Sequence, residues 1–311
     1  MNISLDEAMR TGRQITQKQS QTKNTFGFKW SKRETYESEA MRKKAKAWLY
    51  ERYCDNKPER LARWLAGGKK TILDAGCGSG FSGLLFFGTH LRDYDYICMD
   101  ISEAVHLAKK RFKEMDYSGK FIQADITHAP LSEKSVDLIF SEGVLHHTDS
   151  TEQSLKNLTK LLKTGGRFLF YVYAKKAVIR EFTDDYIRKE ISRFTDKKAW
   201  EALKPITRLG MELGKIKGKI TIAQDIPLLG IKKGKYDVQR FIYWNICKMY
   251  FDKTLNFEEM NHINFDWFRP LNCQRHTPEE IRKWCTEAGL RIEHMNIQES
   301  GITVVAEKIK P

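Results

Sequence analysis

No run of about 18 consecutive apolar residues occurs in this chain, so no segment reads as a membrane span. The opening stretch, MNISLDEAMRTGRQITQKQSQTK, is polar and lacks the apolar centre of a secretory signal. Cysteine is sparse and unpatterned: Cys54, Cys77, Cys98, Cys247, Cys273 and Cys285 include no C-x-x-C pair. That spacing excludes a cysteine zinc site and a disulfide framework, and reads as reduced thiols of a cytoplasmic protein.

What is present is an apolar fraction of 41% in 311 residues, enough for the core of one large domain or two small ones. The net charge of +14 is spread unevenly. Residues 1–70 carry 17 Lys and Arg against 8 Asp and Glu, and residues 175–240 carry 17 against 9. Residues 71–174 carry 11 against 13. The basic excess therefore flanks a nearly neutral middle. Such flanks favour an anionic partner: a nucleic acid, a phosphorylated or nucleotide-linked metabolite, or a carboxylate.

The middle is organised around Thr71-Ile72-Leu73-Asp74-Ala75-Gly76-Cys77-Gly78-Ser79-Gly80. A short apolar run reads as a buried strand, followed by an acid, a turn with glycines at alternate positions, and an apolar segment of helical spacing. Strand, glycine turn and helix place a nucleotide-like ligand at the carboxyl end of a first parallel strand. Counted from Gly76, the dehydrogenase spacing G-x-G-x-x-G puts Phe81 where its third glycine belongs. Asp74 before the turn would repel a pyrophosphate and suits a ligand bearing an ammonium group.

This stretch resembles the first motif of the class I S-adenosylmethionine-dependent methyltransferases of the small-molecule, type 11-like kind. The following residues keep to that pattern. Asp100 ends a second strand, where an acid accepts hydrogen bonds from ribose hydroxyls. Ala124-Asp125 ends a third, and the resemblance places the adenine amine at that acid. Ser141-Glu142-Gly143-Val144-Leu145-His146-His147-Thr148 after the fourth strand resembles the loop that borders the transferable methyl group. The resemblance implies cofactor contacts at Asp74, Gly76, Cys77, Gly78, Gly80, Asp100, Ile101, Ala124, Asp125, Ile126, Ser141 and Glu142. It also implies an α/β fold, a Rossmann-like seven-stranded sheet with an antiparallel last strand, and S-adenosyl-L-methionine as cofactor.

The chain divides accordingly. Residues 1–70 form an N-terminal helical arm or lid, residues 71–173 and 277–311 the methyltransferase core, and residues 174–276 a mostly helical substrate cap inserted after the fifth strand. Residues 1–24 read as a loose or weakly helical arm, 33–53 as one helix and 58–65 as a second. A helix near 197–213 should be kinked or split by Pro205. Thr277-Pro278 should open the last helix, which Gly289 closes.

Histidine supplies the candidate bases, His146 and His147 first by position and His262 in the cap next, with Asp266 and His276 behind them. Asp184-Asp185 could bind a divalent ion, but two acids opening a helix serve its dipole more simply, and no metal is expected. There is no Asn-Pro-Pro-Tyr tetrad for exocyclic amines of DNA and no Pro-Cys pair for pyrimidine C5. The expected reaction is methyl transfer to an oxygen or nitrogen of a small, anionic or polar molecule. A tRNA or rRNA methyltransferase, an NAD-type oxidoreductase and a non-catalytic ligand-binding protein remain as alternatives.

Overall fold

The computed structural model describes residues 15–309. Seven strands build the central sheet: β1 (Thr71–Ala75), β2 (Asp95–Asp100), β3 (Lys120–Gln123), β4 (Val136–Glu142), β5 (Leu162–Tyr173), β8 (Leu290–Ile297) and β9 (Gly301–Lys308). Their order is β3-β2-β1-β4-β5-β9-β8. The first five run parallel, while β9 lies antiparallel between β5 and β8. This is the α/β sheet with the inverted last strand that the motifs implied, and it differs from an all-parallel dehydrogenase sheet.

Alternate residues of each strand enter different cores, as the period of two demands. Ile72, Cys98, Leu138, Phe140, Leu169 and Tyr171 join one face, and Leu73, Ile97, Met99, Ile139, Phe168 and Phe170 the other. The order of connection reverses between β1 and β4, and this switch point leaves a crevice at the strands' carboxyl ends.

The N-terminal segment departs from its reading. Residues 1–14 lie outside the described residues, but Gln17–Ser31 form a regular helix, α1, capped by Thr16. Its buried residues are Gln19, Thr22, Thr25 and Lys29, so its inner face is polar. Hydrogen bonds replace apolar contact there. Gln21 bonds the carbonyl of Arg269 and the amide of Leu271, and Thr22 accepts from the amide of Asn272. The predicted helix over 33–53 is two pieces. A short 3-10 turn at Arg33–Thr35 precedes α2 (Glu39–Cys54), whose cap Ser38 accepts from the amide of Met41. The next helix is α3 (Glu59–Leu65), and α4 (Phe81–Phe87) leaves the glycine turn. Between later strands run α5 (Ala104–Glu114) and α6 (Thr151–Leu161).

After β5 the chain builds α7 (Val178–Ile191) and α8 (Asp196–Gly214), a two-stranded hairpin of β6 (Lys219–Ile222) and β7 (Gly234–Asp237), then α9 (Val238–Asn245) and α10 (Phe257–Phe268). The hairpin was not anticipated. Pro205 does not split α8, which runs unbroken past it. Pro205 is on the exposed side, where water can bond the carbonyl of Glu201, which it deprives of a donor. The opposite side buries Ala199, Trp200, Leu203 and Thr207. There Thr207 bonds Asn261 and Asn264 of α10. The last helix, α11 (Pro278–Glu287), opens on a capping box of Thr277 and Glu280.

Phe140 of β4 is fully buried and packs on Tyr53, Phe86 and Phe87 with ring centroids 5.4–5.6 Å apart. Phe140→Ala should therefore cost about 3–5 kcal/mol, read as a lower midpoint of urea unfolding.

Candidate active site

The crevice at the strand ends opens into a cavity of about 620 Å³ that continues beneath the segment between β5 and α11. At the sheet end its wall includes Gly76, Asp100, Ile101, Asp125, Ile126 and Glu142. Gly76, Gly78 and Gly80 have φ of +83°, +52° and +74°, conformations that side chains resist. Any Cβ at Gly76 would overlap Val144, and one at Gly78 would strike the indole of Trp30. The turn is thus sealed on that side by α1 and by the loop after β4.

Asp100 is held by three donors: the amide of Gly78 at 2.8 Å, the amide of Ser102 at 2.8 Å and the Ser102 hydroxyl at 2.6 Å. Burial pushes its pKa up against those bonds. Asp125 accepts from the Thr127 amide at 2.8 Å through one oxygen, and its carboxylate is half-buried at the cavity wall. Two carboxylates at successive strand ends, each with acceptor capacity left, and the apolar Ile101 and Ile126 beside them fit a ribose and a flat base. The donor set therefore agrees with an adenosine-bearing cofactor.

Asp74 does not share that wall. Its carboxylate accepts from the Tyr96 hydroxyl at 2.9 Å and lies against Gly83, and burial pushes its pKa up to about 7. The expected pairing with a ligand ammonium is replaced by an internal contact between β1 and β2. Cys77, Gly78, Gly80 and Ser141 are buried behind the surface, and the half-buried Ala124 is also outside the cavity wall. Ser141 donates to the carbonyl of Ala75 at 2.8 Å and so ties β4 to β1. Ala124 donates its amide to the Asp100 carbonyl at 3.0 Å.

The histidines separate clearly. His146 is fully buried, stacks 3.8 Å from the Tyr173 ring, and has no partner on either ring nitrogen among the described residues. It does not reach the cavity, so it is not placed to act as a base. His147 does. Its Nδ1 lies 2.6 Å from the carbonyl of Asn272, which can only accept, so Nδ1 carries the proton and Nε2 presents a bare lone pair. That Nε2 is buried and unpartnered among the described residues. His262 lines the cavity with Nδ1 2.7 Å from the Thr35 hydroxyl. Burial lowers the pKa of all three rings, to about 4 for His147, which leaves them neutral and weakly basic. His276 is outside the wall, bonded to Thr151 at 2.8 Å.

Asp184 and Asp185 neither open a helix nor gather as ligands. They sit in mid-α7, Asp184 bonded to Arg180 and the Trp267 indole, and Asp185 ion-paired to Arg188 and Arg275. Sequence reasoning named the wall residues Asp266 and Glu142 but missed Lys29 and Arg52, which pair with them. Lys29 of α1 is ion-paired to Asp266, which also accepts from the Tyr173 hydroxyl at 2.8 Å. Burial raises the Asp266 carboxyl's pKa, but Lys29, His147 and Lys248 together outweigh it and hold the group well below the usual range. Glu142 accepts from Arg52 at 2.8 Å and from the Tyr53 hydroxyl at 2.7 Å. Lys176, Arg180 and Lys248 line the far end; the basic excess of residues 175–240 hinted at the first two, and nothing in the sequence at Lys248.

Residues 73–170 match the family model described as a methyltransferase domain. The chain is 33% identical over 102 residues to the uncharacterized methyltransferase YodH of Bacillus subtilis, covering 32% of this chain and 41% of that protein. It is 27% identical over 106 residues to a malonyl-[acyl-carrier protein] O-methyltransferase of Hamiltonella defensa, covering 34% and 39%. A solved S-adenosylmethionine-dependent methyltransferase of Aquifex aeolicus superposes with a TM-score of 0.42 at 12% identity, over 81% of this chain and 89% of that one. The matches span less than half the length of these curated relatives.

His147 is neutral when folded and free in the unfolded chain, so unfolding takes up a proton between about pH 4 and the ordinary histidine value. Its contribution to stability is present near neutrality and fades as pH falls through that window. Between about pH 4.5 and 6, the unfolding free energy of His147→Gln should fall less steeply than the parent's, by about 1.4 kcal/mol per pH unit. Urea titrations at several pH values measure this.

Proposed function

Because residues 73–170 form a class I S-adenosylmethionine-dependent methyltransferase domain, we propose that the whole chain transfers a methyl group from S-adenosylmethionine to an oxygen or nitrogen of a small molecule. The observation that carries this reading is the single cavity that joins the strand ends bearing Asp100 and Asp125 to the segment between β5 and α11. Asp100 takes the ribose hydroxyls, Asp125 the adenine amine, and Ile101 and Ile126 the faces of the base. The backbone at Gly76 borders the rest of the cofactor. Asp74 supports from behind, by holding Tyr96.

Bound S-adenosylmethionine supplies an activated methyl group, so this chain's tasks are to align the acceptor, exclude water and manage a proton. Burial by α1 and the cap does the second. His147 is oriented for the third: Nε2 accepts a hydrogen bond from the acceptor's O–H or N–H and so aims its lone pair. With a pKa of about 4 it positions more readily than it deprotonates. A cavity of about 620 Å³ favours a small acceptor over a folded RNA.

S-adenosylhomocysteine should raise the melting temperature and NAD should not. Asp100→Ala should weaken S-adenosylhomocysteine binding at least about tenfold in calorimetry, whereas Asp74→Asn should stay within about threefold. Equal binding by the Asp100 variant overturns the ribose assignment. Incubation with labelled S-adenosylmethionine and fractionated metabolites, with and without nuclease, identifies the acceptor.

A further inference from the structure

The far end of the cavity has a composition that methyl transfer alone does not require. The indole of Trp267 stands there with its N–H donated to Asp184 at 2.7 Å. Three cations surround its ring: the Lys248 ammonium at 4.8 Å, the Arg180 guanidinium at 5.3 Å and the Lys176 ammonium at 5.5 Å from the centroid. All three line the cavity. Their internal bonding differs. Arg180 donates Nε to Asp184 and Nη1 to the carbonyl of Tyr243, leaving the other side of its fork. Lys176 donates to the carbonyls of Glu299 and Ser300, which uses two of its three N–H groups.

Lys248 is different. It is 6% exposed, yet among the described residues no hydrogen bond or ion pair reaches its ammonium. Its amide is bonded to Asp184 at 3.0 Å, so the main chain is fixed and the side chain extends into the cavity. The N–H groups of its ammonium therefore face the cavity with no protein acceptor, and two more cations share the same indole. Of the two carboxylates that attract Lys248, Asp184 is already spent on Arg180, Trp267 and the Lys248 amide, and Asp266 is paired to Lys29. An anionic ligand brings the acceptor that these donors lack.

We propose that this end of the cavity is an anion-binding subsite, in which Lys248, Arg180 and Lys176 hold a carboxylate or phosphate group carried by the methyl acceptor. The subsite rests on the methyltransferase reading for the identity of its ligand as acceptor, but its geometry stands by itself. Tyr243, Trp244 and Trp267 wall the space beside the cations, so the anionic group belongs to a molecule with a flat or apolar body. Anchored there, the body points along the cavity toward His147. Proton linkage gives a second signature. Burial, with the repulsion of Arg180, lowers the Lys248 pKa to about 7 against the attraction of Asp266, Asp184 and Cys273. Lys176 is lowered too, by burial, Arg180 and Lys248. An arriving anion favours the charged ammonium, so binding above neutral pH takes up protons.

The test is calorimetry of the full chain, with and without S-adenosylhomocysteine, using phenyl phosphate, phenylacetate and benzyl alcohol as probes. The expected result is that at least one anion binds and the alcohol does not; which anion binds tells phosphate from carboxylate. At about pH 8 the binding enthalpy should vary with the ionisation enthalpy of the buffer, the mark of proton uptake. Lys248→Met should weaken the anion at least about tenfold and leave S-adenosylhomocysteine within about threefold, and Lys248→Arg should keep anion binding but lose most of the proton uptake. Equal anion binding by parent and Lys248→Met overturns the subsite. So does binding of S-adenosylhomocysteine with no affinity for either anion, which leaves the methyltransferase reading intact. Anion binding by a protein that ignores S-adenosylhomocysteine supports the subsite and overturns that reading instead.

Discussion

The ion pair between Lys29 and Asp266 holds three parts of the chain in one place. Lys29 comes from α1, Asp266 from α10, and the Tyr173 hydroxyl that completes the contact comes from the end of β5. The side chains are 8% and 22% exposed, so each charge depends on the other to meet the cost of burial. From this contact the cavity wall follows. Tyr173, fixed by its hydroxyl, packs on His146 at 3.8 Å and on Trp267 at 4.6 Å. His146 in turn lies 4.2 Å from His147, and Trp267 is the indole that the three cations surround. The His147 ring and the Trp267 indole thus both pack on Tyr173, whose hydroxyl Asp266 holds.

The sheet was legible because its strands carry their information locally. Each of β1, β2 and β4 is a short apolar run with an acid at or beside its end, and the glycine turn has few other uses. The N-terminal helix was not legible, because periodicity detects apolar faces and the inner face of α1 is built of Gln19, Thr22, Thr25 and Lys29. Its partners, Arg269, Leu271 and Asn272, are some 250 residues away in sequence. Pro205 misled for the opposite reason: a local rule was outweighed by the buried side of α8 and the bonds of Thr207 to α10.

The site shows the same division. Asp100 and Asp125, singled out by their place after successive strands, both line the cavity. Asp74 obeyed the motif, but its surroundings gave it to Tyr96 instead, a contact that depends on the facing strand β2. His146 and His147 are neighbours in sequence with opposite fates, since the 3-10 turn at Leu145–His147 directs one ring inward and one to the cavity. No spacing marks Lys248. It becomes informative only when its ammonium is seen at the cavity wall with no hydrogen bond or ion pair among the described residues.

The two halves of α1 are attached by different physics. Phe26, Phe28 and Trp30 at its end pack on His147, Trp200 and Tyr36. Its first turns, where Gln19, Thr22 and Lys23 border the cavity, are held by amide and hydroxyl bonds. Lifting those turns would wet polar groups and little hydrocarbon. Apolar exposure raises heat capacity and polar exposure lowers it, so such an opening would show a small or negative heat-capacity change. Its equilibrium would vary gently with temperature, unlike that of a greasy flap, and the chain would expose no sticky surface while it stood open.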